Sequence, residues 1–157
     1  HSINMRGVTA LMGHMGVELD PVKESPEEKQ AFSHYISLHK QFRHVLHSGR
    51  SFRMDPSDKN QNIYGVENDD EMLITVCQLA MPEYALPSPL RISCVEDNAM
   101  YQVKLVDMPK TSFQLMKQRP QWLDKTLTLS GDNLKEIGLT LPILDPESAL
   151  IVHLKKI

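Results

Sequence analysis

Ser25-Pro26-Glu27-Glu28-Lys29-Gln30-Ala31-Phe32-Ser33-His34-Tyr35-Ile36-Ser37-Leu38-His39-Lys40-Gln41-Phe42-Arg43-His44-Val45-Leu46-His47-Ser48-Gly49 is the stretch on which the fold turns, because its start, its apolar face and its end are all legible from residue types. Ser25 is a helix N-cap whose hydroxyl can accept an orphan backbone N–H, Pro26 suits the first helical position, and Glu28 completes a capping box. Apolar residues recur at Phe32, Tyr35, Ile36, Leu38, Phe42, Val45 and Leu46. At about 100° per residue they fill an arc of about 180°, wide for a helix packed on one surface only. Gly49 is expected to end the helix in the left-handed conformation of a C-cap. Beyond it the period changes, so the helix joins two different architectures.

Downstream the pattern is that of strands. Arg50 to Asp55 alternates polar and apolar, and Pro56 to Asn60 is turn chemistry. Gln61 to Glu67 gives a second strand. Glu71 to Leu79 is an apolar run bounded by turns, the signature of a central strand buried on both faces. Three prolines between Met81 and Pro89 forbid interior pairing, so the next strand starts at Leu90 to Ser93. Further strands are read at Ala99 to Val106, Thr126 to Leu129 and Ser148 to Lys156. Asp107 to Asp124 is an irregular connection, and a single helical turn begins at Asn133 and stops at Gly138. The short turns imply antiparallel pairing, since parallel strands need crossover helices. The predicted fold is mainly β: an antiparallel β-sandwich of about seven to eight strands preceded by one long α-helix.

Composition narrows the function. The 157 residues suit one domain, the net charge is -3, and no run approaches the roughly 18 apolar residues of a membrane span. Nucleic acid and membrane are therefore excluded as expected partners. Cys77 and Cys94 have neither redox nor zinc spacing; free thiols within apolar runs suit a cytoplasmic setting.

Gly7 to Asp20 holds three glycines, which on sequence grounds break any helix, followed by Glu18 and Asp20. Among the helix histidines only His44 and His47 have metal-ligand spacing, and Lys40 and Arg43 nearby oppose a cation. No metal and no cofactor is expected. His39 falls inside the apolar arc and reads as a core histidine bonded to a carbonyl. Trp122, the single tryptophan, reads as an end plug rather than a sugar-stacking platform.

Gly13-His14-Met15-Gly16-Val17-Glu18-Leu19-Asp20, then Leu38-His39-Lys40 with Phe42-Arg43, then Leu46-His47-Ser48-Gly49-Arg50, resembles the end of the catalytic barrel in bacterial alpha-galactosidases of glycoside hydrolase family thirty-six. Leu129-Ser130-Gly131-Asp132, Gly138-Leu139-Thr140-Leu141-Pro142 and Pro146-Glu147-Ser148-Ala149-Leu150 are similar to the way that family's chains finish. The resemblance implies that residues 1–49 are the end of a (β/α)8 barrel, with its last helix, and that residues 50–157 are a C-terminal antiparallel β-sandwich. It implies a retaining hydrolase of terminal alpha-galactose in raffinose-type oligosaccharides, whose catalytic aspartates lie upstream of anything here. No catalytic residue is assigned. His14 and Glu18 are expected at the periphery of the substrate pocket, near the barrel face that carries active sites.

The chain opens His1-Ser2 without an initiating methionine and reads as a piece of something longer, structural in itself. Its expected partners are the catalytic barrel of the same chain, galactosides by way of the parent enzyme, and a homo-oligomeric copy. Without the barrel, apolar surface around Phe32, Tyr35 and Phe42 is expected to be left open. The alternative reading is a free-standing carbohydrate-binding or protein-interaction sandwich.

Overall fold

The computed structural model describes residues 1–16, 20, 22–109, 113 and 119–157. Helix α1 (Ile3–Leu11) and helix α2 (Pro26–Leu46) come first. Strands β1 (Arg50–Met54), β2 (Gln61–Glu67), β3 (Glu71–Gln78), β4 (Met100–Leu105), β5 (Leu127–Ser130) and β6 (Ser148–Lys156) follow, with a 3-10 turn at Gln121–Leu123 and helix α3 (Gly131–Glu136) among them. The six strands form one sheet in the order β1-β2-β3-β6-β4-β5, and each pairing is antiparallel.

Helix α2 begins as its residues dictate. The Ser25 hydroxyl accepts the Glu28 N–H at 3.2 Å, and the Glu28 carboxylate accepts the Ser25 N–H at 3.2 Å, which closes the capping box. The end departs from expectation. Gly49 does not adopt a positive φ; the helix is capped at His47, whose N–H reaches the Arg43 carbonyl. Glycine stands at 49 for room, because a Cβ there would lie 2.5 Å from the Val45 carbonyl oxygen and 2.7 Å from that of Glu67. The chain turns into β1 too close to its own helix and to β2 for any side chain.

Helix α1 is where sequence reasoning failed. Gly7 does not break it; Ser2 caps it by accepting the Met5 N–H at 3.1 Å. A methyl group at Gly7 would overlap the Tyr35 ring, so this glycine lets α2 approach α1 closely. A lone glycine costs a helix about 1 kcal/mol, which tertiary packing overrides. Only Gly13 and Gly16, beyond Leu11, lie in the connecting segment.

Strand β3 is buried along its length after Glu71, and β6 is buried from Ser148 to Leu154. Because side chains alternate along a strand, the register assigns two faces. Leu73, Thr75 and Cys77 share one face with their partners His153, Ile151 and Ala149. This face meets the helices, as Phe42 of α2 sets its ring edge-on to His153 with centroids 5.1 Å apart. The opposite face carries Met72, Ile74, Val76 and Gln78 with Leu154, Val152, Leu150 and Ser148.

The layer over that second face is not a sheet. The connections between β3 and β4 and between β4 and β6 bring buried Leu90, Ile92, Trp122, Leu139 and Leu144 to the core. Among the described residues they pair only as isolated bridges, Leu90 with Leu139 and Phe113 with Leu144. The strand expected at Leu90 to Ser93 is thus a single bridge, and the observed architecture is one six-stranded sheet between helices and irregular chain rather than seven to eight strands in two sheets. Prolines at 82, 87, 89, 109, 120, 142 and 146 remove the donors that a second ladder needs. Trp122 is 3% exposed and donates its indole N–H to the Thr140 carbonyl at 2.8 Å, which makes it a plug. The helical turn before Gly138 is α3, capped by Ser130, and Gly138 stops it at φ 78°.

Asn4 fastens the helices to the sheet. Fully buried on α1, its Oδ1 accepts the Ala149 N–H of β6 at 2.7 Å, and its Nδ2 donates to the Tyr35 hydroxyl of α2 at 3.3 Å. Asn4→Leu leaves that strand N–H unpaired in the interior and is expected to cost about 1 to 3 kcal/mol. Gly7→Ala overpacks the Tyr35 contact and is expected to cost a similar amount, about 1 to 3 kcal/mol. Gly13→Ala, with only the Ala10 carbonyl oxygen at 4.0 Å, serves as the near-neutral control. Urea unfolding of the three variants measures these differences.

Candidate functional site

The connection that leaves α1 carries the sequence-predicted residues. Met12 caps α1, and Gly13, His14 and Gly16 are exposed while Met15 is half-buried. Glu18 lies outside the described residues. His14 does not stand alone: its ring lies 5.2 Å from that of His47, and the His47 ring lies 5.2 Å from that of His39. His39 points one nitrogen, Nδ1, at the Leu11 carbonyl 3.4 Å away, as expected of a carbonyl-bonded histidine, but it is half-buried rather than a core residue. Three imidazoles from the α1 exit, the middle of α2 and its C-terminal end therefore form a row. Sequence spacing pairs His44 with His47; the fold pairs His47 with His14 and His39 instead.

The remaining candidates are dispersed. His34 Nε2 meets the Asp107 carbonyl at 2.8 Å, and His44 Nε2 meets Glu71 Oε2 at 2.8 Å. His34, His44 and His47 thus have separate partners, and among the described residues no group of three histidine, cysteine, aspartate or glutamate side chains is placed to hold a metal ion. Asp20 accepts the Val22 N–H at 3.1 Å and pairs with Lys23, so it shapes the turn into α2. Burial pushes the Cys77 thiol up to about 11, which keeps it protonated at neutral pH and unsuited to nucleophilic work, while Cys94 is exposed rather than buried.

A second polar centre escaped sequence reasoning. Glu71, at the start of β3, receives His44 from α2 at 2.8 Å, Lys155 from β6 at 3.7 Å and His153 from β6 at 3.8 Å. No spacing along the chain announces it, because Glu71 lies 27 or more positions from each of its three partners. Burial alone would raise the Glu71 carboxyl, but the His44 hydrogen bond and the charges of His153, His44 and Lys155 outweigh it and hold the group below its ordinary value. Burial pushes the His153 imidazole below its ordinary value; the Glu71 charge opposes this, while Lys104, Lys155 and His44 reinforce it. A carboxylate kept ionised and an imidazole kept neutral tie α2 to the sheet. They are not a matched acid and base pair.

The described residues thus supply a helix pair with a partly exposed histidine row, backed by an antiparallel sheet, against which the comparisons with known proteins can be set. The Melibiase family pattern matches residues 1–49. The chain is 37% identical over 163 residues to an alpha-galactosidase of Escherichia coli, an alignment that covers 99% of this chain and 23% of the relative. It is 28% identical over 142 residues to the bifunctional alpha-galactosidase/sucrose kinase AgaSK of Mediterraneibacter gnavus, covering 90% of this chain and 13% of that protein. The fold is similar to that of the family 36 alpha-galactosidase AgaA of Geobacillus stearothermophilus in complex with raffinose, with a TM-score of 0.78 at 22% identity over 100% of this chain and 20% of that one. The alpha-galactosidase of Lactobacillus brevis gives a TM-score of 0.74 at 21% identity over 97% of this chain and 20% of its own. Nearly the whole chain is thus similar to one part of the alpha-galactosidases, and its first 49 residues match the Melibiase family. It spans less than a quarter of the length of these relatives. No helix among the described residues is long and apolar enough to cross a membrane.

The Glu71 centre sets the acid sensitivity of the fold. Above 6.5, the ordinary value, His153 is neutral folded or unfolded and contributes no pH dependence. Below it the unfolded chain takes up the proton first, so stability falls as pH drops toward the lowered folded value. Glu71 adds a second loss as pH falls below 4.5 through its own lowered value. Urea midpoints measured from pH 8 to about pH 2 are expected to be flat at first and then to fall in these two stages. His153→Gln is expected to flatten the upper stage and Glu71→Gln the lower.

Proposed function

We propose that this chain is the C-terminal portion of an alpha-galactosidase, a retaining glycoside hydrolase that releases terminal alpha-galactose from raffinose-type oligosaccharides. Residues 1–49 close the catalytic barrel, residues 50–157 form the C-terminal antiparallel β domain, and the chain by itself is structural and inactive. The observation that carries this reading is a coincidence of boundaries. The Melibiase match stops at residue 49, between the end of α2 at Leu46 and the start of β1 at Arg50. A sequence family and a change from helix to strand divide the chain at the same place.

On this reading His14 and Glu18 lie at the periphery of the substrate pocket and position it rather than react. The His14, His47 and His39 row supports a role in shaping a surface, since none of these rings contacts a carboxylate in the described interactions. The partners follow from the same reading: the barrel of the same polypeptide, galactosides bound by it, and a second subunit. Two free thiols support a cytoplasmic setting. The purified chain is expected to show no hydrolysis of an aryl alpha-galactoside, followed by release of the coloured phenol. Turnover that Glu18→Gln abolishes would overturn the assignment, since it would place an active site within these residues.

A further inference from the structure

We propose that the loop following β3 is a preformed docking ledge for the remaining body of the same polypeptide, an inference that rests on reading this chain as one portion of a longer enzyme. Four large apolar side chains stand in water within eight residues: Leu79 is 52% exposed, Met81 64%, Tyr84 57% and Leu86 74%. Leu79 lines a groove with Met5 and Met12 and Tyr84 another with Gln78 and Leu144, so the loop offers apolar groups along its length, as a contact segment does.

The backbone that carries them is held from beneath. Buried Gln78 donates Nε2 to the Ala80 carbonyl at 2.8 Å, and buried Asp58 accepts the Glu83 N–H through Oδ2 at 3.0 Å. Asn60 Nδ2 donates to the Met81 carbonyl at 2.8 Å, and the Leu79 N–H donates to the Asn60 carbonyl at 2.7 Å. Pro82, Pro87 and Pro89 narrow the backbone further. The fold thus uses buried polar side chains to order a loop whose apolar groups meet solvent. Ordering in advance lowers the entropy lost on docking.

Charge and area identify the occupant. From Leu79 to Pro89 the only acidic or basic residue is Glu83, and it is paired with Lys59. The ledge therefore suits an apolar, neutral protein surface and not an anionic polymer or lipid headgroup. At roughly 200 Å² for a large side chain, the four exposed groups offer about 500 Å². That falls short of the roughly 800 Å² per partner of a stable free-standing complex. It does fit one side of a contact within a chain, where interfaces total about 600 to 1,500 Å². Leu79, the first residue of the ledge, also lines an open groove of about 490 Å³ with Met5 and Met12 of the segment that matches the Melibiase family.

The test splices this chain into the Escherichia coli alpha-galactosidase in place of the part it matches, with and without Met81→Glu and Leu86→Glu together. The unaltered chimera is expected to unfold in one cooperative thermal transition, and the double variant in two. The isolated 157-residue chain is expected to keep the same midpoint with and without the substitutions, because both side chains are exposed in it. A double-variant chimera that melts as the unaltered one does overturns the ledge and leaves the functional reading standing. An unaltered chimera that does not form one cooperative body overturns the reading and the ledge with it. Sedimentation equilibrium showing a dimer of the isolated chain that the two substitutions disperse would assign the surface to a second copy, and overturn the proposal.

Discussion

The Asn4 carboxamide is the contact on which the rest of the structure depends, because it holds α1, α2 and β6 at one buried point. A buried amide must satisfy its polar atoms or cost the fold. Here it does so by accepting from Ala149 and donating to Tyr35, whose hydroxyl in turn donates to the Pro109 carbonyl at 3.2 Å. Burial pushes the Tyr35 phenol up to about 12, so the hydroxyl stays protonated and remains a donor. Around this polar pin the apolar seam of α2, Ala31, Tyr35, Leu38, Phe42 and Val45, closes over the sheet. Glu71 fastens the far end of the same helix through His44.

The sequence was most legible where local chemistry decides the outcome. Ser25 and Glu28 cap α2 as their spacing dictates, and β2 and β3 begin at Gln61 and Glu71, just past the turn residues that bound them. It was least legible where a distant partner decides. Gly7 reads as a breaker until Tyr35 is known to press against it, and Gly49 reads as a left-handed cap until Val45 and Glu67 are known to crowd it. The apolar arc of α2 was misread in the same way. Tyr35 and Phe42 are 0% and 3% exposed in the chain's own core, so the surface expected around them is closed, while Phe32 is only half-buried and Ile36 on the flank stays 36% exposed. Most of the arc serves this fold, and only its edge faces outward.

The candidate site shows the same division. His39 could be read as a carbonyl-bonded histidine from its helical angle alone, and the structure places it so. The row it forms with His47 and His14, and the ring of basic groups about Glu71, depend on how α1, α2, β3 and β6 are stacked. Periodicity within one segment carries no trace of that stacking. The second layer was misjudged for a related reason: apolar residues at Leu90, Ile92, Leu139 and Leu144 cover a sheet equally well with or without a ladder.

The sheet order has a temporal meaning. Strands β1 to β3 form one antiparallel run and β4 with β5 another, and neither touches the other except through β6. Among these strands β6 is the last to leave the ribosome, yet it sits at the middle. Until its final codons are read, two half-sheets wait with their inner edges bare, and a nascent chain stalled before Ser148 presents sticky strand borders rather than a nearly finished domain. Loss of these few residues removes a keystone, not a fringe.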